Sequence, residues 1–229
     1  MRKTIPYLFL LLMIASCKKQ DSDVLVEFVV KTTNKTPFGR PYVLNTPDSK
    51  ILFSNFRFRD STDKQVLVQD IFLYKNDSHS FSFSVPEGTF SIFEFSFGLD
   101  KDQNASIPAS FEAAHPLSVE SGLYWDMLKY RFLVVEGNID NSPTKNQTPT
   151  NPFSMHIGTD TLYHTISVTG LPKAGSKLTV ELDLDKLFVL DADPFQITNF
   201  SIHSESTEIP RAIAIKNSFI SGIKTTITP

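Results

Sequence analysis

The sequence predicts an all-β fold, a single antiparallel β-sandwich domain that follows a lipoprotein signal peptide. Short runs rich in Val, Ile, Phe and Thr recur along the chain, with Asp, Asn, Pro and Gly turns between them, which is the spacing of an antiparallel sandwich. Two runs, Ser80–Val85 and Lys177–Leu184, alternate apolar and polar residues with strict period two, the mark of a strand with one wet face. Extended helical periodicity is scarce and no repeat of fixed length is visible. Twenty phenylalanines against nine glycines supply enough apolar bulk for a core without disulfides.

Residues 1–16 are read as a processing segment and not as part of the fold. Arg2 and Lys3 precede an apolar stretch, Tyr7–Ile14, that is too short to span a bilayer, and Ala15-Ser16-Cys17 closes it. Cys17 is the single cysteine, so it has no disulfide partner, and the small residues before it make it the expected lipidation site. Acylation of Cys17 would hold the mature protein on a membrane. Residues 17–23 read as a charged, lipid-anchored tether, and residues 24–229 as the one folded domain. The tether resembles the surface-export signal of lipoproteins from Bacteroidetes. The expected location is therefore the outer membrane, facing the periplasm or the cell surface.

Taken in order, Val24–Val30 is a short β-branched run and reads as a buried first strand. Asn34–Pro47, with three prolines, is a loop. Lys50–Phe58 and Val66–Tyr74 are strands joined by the turn Asp60–Lys64. Ser80–Val85 and Thr89–Phe97 flank the turn Pro86-Glu87-Gly88 and are expected to form a central hairpin. The apolar parity of the second run changes, which predicts a bulge near Ile92. Gly98–Asn104 leaves the sheet as an Asx-rich turn; it lacks the glycine and terminal glutamate of a calcium loop. Ser106–Ser121 is an irregular crossing segment that carries His115. Tyr130–Val135 is apolar on both parities, hence central. Asn138–Asn151, rich in Asn, Thr and Pro, is expected to be a mobile loop. Phe153–Ile157, Leu162–Val168, Lys177–Leu184 and Ile197–Ile202 are further strands, and Asp185–Phe188 is a single helical turn. Arg211–Ile220 fits either a short helix or a last strand.

Several function classes are disfavoured at once. The net charge is −3 with no basic patch, so no nucleic acid is expected. There is no nucleophile elbow, phosphate-binding glycine loop, H-E-x-x-H or cysteine pair, and the acidic pairs Asp100/Asp102, Asp183/Asp185 and Asp191/Asp193 sit in turns or on polar faces. The expectation is a protein without enzymatic activity.

The stretch Gly122–Asp160 is chemically distinct. It holds the only tryptophan, two of the four methionines and one of the five histidines. Indole, thioether and imidazole suit a soft or borderline metal such as copper. Trp125 and Met127 stand two apart, so an extended backbone would point them the same way, and His156 could be brought alongside by the sheet. His115 and His164 are outside candidates; His164 shares parity with Leu162, Ile166 and Val168, which also suits a hydrogen-bonded core histidine. His79 and His203 read as exposed residues at a turn and a strand end. Ordinary core packing explains Trp125, Met127 and His156 equally well, and both readings stand on the residues alone.

Phe95-Ser96-Phe97-Gly98-Leu99-Asp100 with Asn104, His115-Pro116-Leu117, Gly122-Leu123-Tyr124-Trp125, Tyr130–Gly137 and Phe153-Ser154-Met155-His156-Ile157-Gly158 follow in an order and spacing that resembles the MbnP-like family, the methanobactin-associated periplasmic proteins and their lipoprotein relatives. The resemblance spans most of residues 24–224. It implies a β-sandwich and, as in copper-binding relatives, a mononuclear copper site whose ligands are histidines and a tryptophan open to oxidation to kynurenine. By position Trp125 matches that tryptophan and His156 the histidine of the His-Ile-Gly element. Two positions depart: Met127 stands where an aromatic residue or histidine is expected, and Lys129 where a glycine precedes Tyr130. The resemblance also implies a di-haem peroxidase-like partner.

The resulting expectation is a lipid-anchored envelope protein that binds or handles copper, with Trp125, Met127 and His156 holding Cu(I). The alternative is a surface interaction or adhesin-like module without metal, whose Asn138–Asn151 loop contacts a protein or glycan partner.

Overall fold

Strand β1 (Asp23–Lys31) turns Val24, Val26 and Phe28 inward at alternate positions, and this parity sets the whole architecture. The computed structural model describes residues 23–127, 129–188, 193 and 200–229. The expected signal segment, Cys17 and the expected tether up to Ser22 lie outside the described residues, as do Asp191 and residues 197–199.

Two sheets supply the core. In the first, β1 is flanked by β5 (Ser80–Ser84) and β12 (Lys177–Asp183), and β14 (Lys224–Thr228) pairs on β12, giving the order β14-β12-β1-β5. The second runs β11 (His164–Val168), β6 (Ile92–Phe97), β3 (Lys50–Arg59), β9 (Leu133–Ile139), β10 (Asn151–Ile157), β13 (Phe200–Ile202). To it are added β4 (Gln65–Tyr74) on β3 and β2 (Tyr42–Leu44) on β9. A two-stranded ribbon, β7 (Tyr124–Trp125) with β8 (Lys129–Tyr130), stands apart from both. Phenylalanines from the two sheets meet in the middle: Phe28 of β1 stacks on Phe53 and Phe72 at 4.7 and 5.0 Å, and Phe83 of β5 stacks on Phe93 of β6 at 5.5 Å. Such ring pairs add roughly 0.5–1.5 kcal/mol each beyond their burial.

Helical structure is confined to short pieces and one real helix. Asp100 caps α1 (Lys101–Asn104): its carboxylate accepts from the backbone N–H groups of Asp102 and Gln103, and the Gln103 side chain closes a capping box. The expected Asx turn is thus the start of a helix. Helix α2 (Ile209–Ser221) settles the open choice at 211–220, since Ala212, Ile215 and Phe219 are buried at helical spacing. Phe219 meets Phe97 of β6 at 5.7 Å, so α2 covers one end of the core.

Four expectations are corrected. Ser80–Val85 and Thr89–Phe97 do not form a hairpin: β5 pairs with β1 in one sheet, whereas β6 lies between β11 and β3 in the other. The turn at 86–88 therefore carries the chain from one sheet to the other. The bulge lies in β3, where the register shifts between Ser54 and Arg57 around Asn55 at φ 55°; the parity change near Ile92 is simply where β6 begins. The pairing is not wholly antiparallel either, because β1–β12 and β10–β13 run parallel. The loop after β9 is held in place: Asp140 accepts from the Ser142 and Gln147 backbones, and Arg40 donates to the carbonyls of Asp140 and Ser142.

Candidate metal centre

The outer face of the β9-β10-β13 strip builds the site. Ser154 and His156 share one parity of β10, whereas Phe153, Met155 and Ile157 on the other are buried. Glu136 of β9 lies opposite Ser154, diagonal to His156, and Ser201 of β13 lies on Ser154's other side. His203 continues the Ser201 parity just beyond β13. The same face lines an open groove of about 720 Å³, walled by Glu136, Ser154, His156, Phe200 and Ser201.

The β7–β8 ribbon lays Trp125 over this face. Its ring centre lies 5.3 Å from that of His203 and 6.5 Å from that of His156, both edge-on, and the two imidazoles are 5.3 Å apart. The ribbon is pinned by polar contacts from segments far away in the chain. The Tyr130 backbone N–H donates to Asn104 Oδ1 (3.2 Å), and Asn104 Nδ2 donates to Asp160 Oδ1 (2.7 Å). The Tyr130 hydroxyl donates to the Leu117 carbonyl (2.8 Å). Asn104 and Leu117, singled out in the sequence, are thus struts of the site, not ligands.

His156 is oriented on both nitrogens. Nε2 lies 2.6 Å from Glu136 Oε1, and Nδ1 lies 3.5 Å from Nη1 of Arg131. A guanidinium only donates, so Nδ1 accepts and Nε2 carries the proton toward Glu136. Burial holds this imidazole below its ordinary pKa; Arg131 and His203 push the same way and Glu136 opposes them. A neutral ring with a carboxylate on its far nitrogen is the form in which histidine binds metals. His203 is held by its backbone N–H, which donates to Glu208 Oε2 (2.8 Å), and its ring lies beside the Ser201 hydroxyl (3.2 Å to Nε2). Arg131 stands over Trp125 with Cζ 5.9 Å from the ring centre.

Of the sequence candidates, Trp125 and His156 come together and the other three do not join them. Met127 is 62% exposed, at the turn between β7 and β8. That turn ends the extended backbone on which its alignment with Trp125 depended, and Met127 instead lines an open surface hollow together with Thr159, Thr161 and Ser204. His115 stacks on Phe111 at 4.1 Å and its Nδ1 accepts from the Leu117 backbone N–H, so it serves its own turn. His164 pairs opposite Phe97 and is held below its ordinary pKa by burial and by nearby Lys216. His203, read as exposed, is half-buried against Trp125 and is the imidazole beside His156 that the sequence reading did not place there. Its one sequence signal is the alternation Phe200-Ser201-Ile202-His203, which places it on the polar face of its strand.

The family model for MbnP matches residues 21–209. The chain belongs to the MbnP family. The MbnP match contains every residue of the site just described, and ends where α2 begins, so α2 and β14 are built from chain beyond it. MbnP from Methylosinus trichosporium has a similar fold, with a TM-score of 0.51 at 16% identity over 72% of this chain and 77% of that one. Comparison with curated proteins finds no match.

The family resemblance also gives meaning to Lys129, which stands where a glycine is expected. Its φ is +59°, a conformation that costs a side chain roughly 1–2 kcal/mol and glycine almost nothing. After allowing for glycine's greater freedom in the unfolded chain, Lys129→Gly is expected to stabilise the protein by about 0.5–1 kcal/mol in chemical denaturation. A loss of stability would show that the lysine side chain contributes contacts of its own.

Proposed function

We propose that this MbnP-family chain is a lipid-anchored outer-membrane protein without enzymatic activity that binds or handles copper through His156, His203 and Trp125. The observation that carries the reading is the meeting of two imidazoles, 5.3 Å apart, beside the single tryptophan. With metal–nitrogen bonds of about 2.0–2.1 Å, two imidazoles on one ion stand roughly 5–6 Å apart between ring centres. Among the described residues no three His, Cys, Asp or Glu side chains are grouped to hold a metal, so a four-donor zinc shell does not fit. Copper(I), soft and served by few ligands, does.

In this reading His156 and His203 are the nitrogen donors and Trp125 covers the site. Glu136 fixes the His156 tautomer from the second nitrogen, and Ser201 and Glu208 fix His203. Bound copper would supply a soft, one-electron centre at the rim of the β9-β10 groove. The two sheets around the shared phenylalanine core are read as a β-sandwich, Cys17 as the lipid attachment, and a di-haem peroxidase-like protein as the partner that family membership implies. The adhesin-like alternative calls for aromatic side chains exposed on loops. Among the described residues Tyr124 is the one aromatic side chain in the set of exposed large apolar residues, at 37%, which gives that reading little support.

A Cu(I) competition titration of the full chain beside its His156→Ala and His203→Ala variants tests the proposal. Stoichiometric binding is expected in the parent chain and its loss in each variant, with thermal unfolding showing the fold intact. Binding that survives His203→Ala would refute the ligand set.

A further inference from the structure

Arg131 is a fixed positive charge inside the proposed copper site. It connects β8 to β9, and its head group is clamped at three nitrogens. Nε donates to the Leu123 carbonyl at 3.3 Å, Nη2 donates to the Gly122 carbonyl in close contact, and Nη1 reaches His156 Nδ1 at 3.5 Å. The carbon of the guanidinium stands 5.9 Å from the centre of the Trp125 ring. Two carbonyls of the segment leading into the ribbon therefore hold it against both the indole and the one nitrogen of His156 that Glu136 leaves free. A guanidinium stays protonated in proteins, so a metal ion placed between His156 and His203 meets this charge at close range.

Resting on the copper reading above, we propose that Arg131 sets the oxidation-state preference of the site, favouring Cu(I) over Cu(II). The repulsion between a fixed unit charge and a bound ion scales with the charge of the ion, so it is twice as large for the divalent state as for the monovalent one. Glu136, on the far nitrogen of His156, and Glu208, on the His203 backbone, keep the site able to accept a cation and by the same scaling attract Cu(II) more, so Arg131 is the charge that moves the balance toward Cu(I). Arg131 then acts as a specificity-determining residue that coordinates nothing. Copper on Nδ1 would take the place of the 3.5 Å contact from Nη1, while the carbonyls of Leu123 and Gly122 keep the charge beside the ion through Nε and Nη2.

The test uses the full-length chain in detergent, its Arg131→Gln variant, which removes the charge, and its Arg131→Lys variant, which keeps the charge but loses the planar clamp. Cu(I) and Cu(II) affinities are measured by competition with chromophoric chelators. The potential of the bound couple is read against small-molecule mediators, which supply the electron that turns Cu(II) into Cu(I). Arg131→Gln is expected to tighten Cu(I) about tenfold and Cu(II) about a hundredfold, lowering the potential by about 59 mV for that tenfold difference. Arg131→Lys should shift it by less than half as much. The Trp125 emission of the metal-free variants, compared with thermal unfolding, shows whether ribbon and fold persist. Equal shifts in Gln and Lys variants, or no shift in either, would mean that Arg131 is only a strut and would overturn the proposal. A parent chain that binds copper in neither state would overturn the copper reading itself, and this inference with it.

Discussion

Gly158→Ala is expected to destabilise the protein by about 3 kcal/mol, more than any change of similar size on the surface. A Cβ at this position would lie 2.2 Å from the Tyr130 carbonyl oxygen, 2.8 Å from the Arg131 Cα and 3.0 Å from the Phe132 nitrogen. All three are backbone atoms, so no side chain can swing away to make room, and overpacking that forces backbone shifts typically costs 1–3 kcal/mol or more. The close approach has a purpose in the fold. Directly before Gly158, the Ile157 carbonyl accepts from the Phe132 N–H at 2.7 Å, locking the end of β10 to the connection between β8 and β9. Arg131 sits in that connection, so the same substitution should alter the emission of Trp125, over which Arg131 stands. Gly39→Ala is the control: φ is +80° there, but nothing lies within 4 Å of the added carbon. That change costs only the left-handed backbone, about 1 kcal/mol. In thermal unfolding Gly158→Ala should lower Tm by roughly 6–12 °C for a domain of this size. If Gly39→Ala cost as much, close approach at Gly158 would not be the reason that a glycine stands there.

The example shows which parts of this protein were legible in its sequence. Strand positions were, because period two is a local property: Val24, Val26 and Phe28, or Leu178, Val180 and Leu182, are buried as their alternation predicts. Partners of strands were not, because alternation says which face is wet and nothing about what lies alongside. Lys177–Asp183 pairs in parallel with β1, some 150 residues earlier, and β13 pairs in parallel with β10 although β11 and β12 lie between them in the chain. His203 was missed for that reason: it meets His156 only through the β10–β13 pairing. Met127 failed differently, since the parity argument was sound but the turn at Asp126-Met127 cut the strand on which it relied. At 211–220 the informative spacing was Ala212, Ile215, Phe219, and Ala212 is too small to register as a core residue in a scan for large apolar side chains. The meeting of Trp125 and His156 was legible because their chemistry is rare in this chain and the family motif holds them in order.

Arg40→Met is expected to cost 3–5 kcal/mol, the largest stability loss for a substitution that preserves side-chain volume. Arg40 is 2% exposed and sits in the loop before β2, where propensity says little about it. Its Nε donates to Asp193 Oδ2 at 2.6 Å, and its Nη1 donates to the carbonyls of Asp140 (3.0 Å) and Ser142 (2.8 Å). One guanidinium thus ties together the loop before β2, the loop after β9 and Asp193. Methionine fills the space but leaves two carbonyls without these donors, and takes the 2.6 Å donor from the Asp193 carboxylate, which is 8% exposed and also has Lys145 at 3.4 Å. Breaking a buried pair from one side costs 3–5 kcal/mol because the other charge stays behind, whereas removing both partners is far milder. Arg40→Met with Asp193→Asn should therefore recover a good part of the loss, a coupling that a double-mutant cycle in urea measures directly. The loss should also reach the proposed copper site, because the loop after β9 joins the two strands that carry Glu136 and His156. A cost below about 1 kcal/mol, or no coupling between the two changes, would mean that the loops are held by packing and that the buried ion pair contributes little.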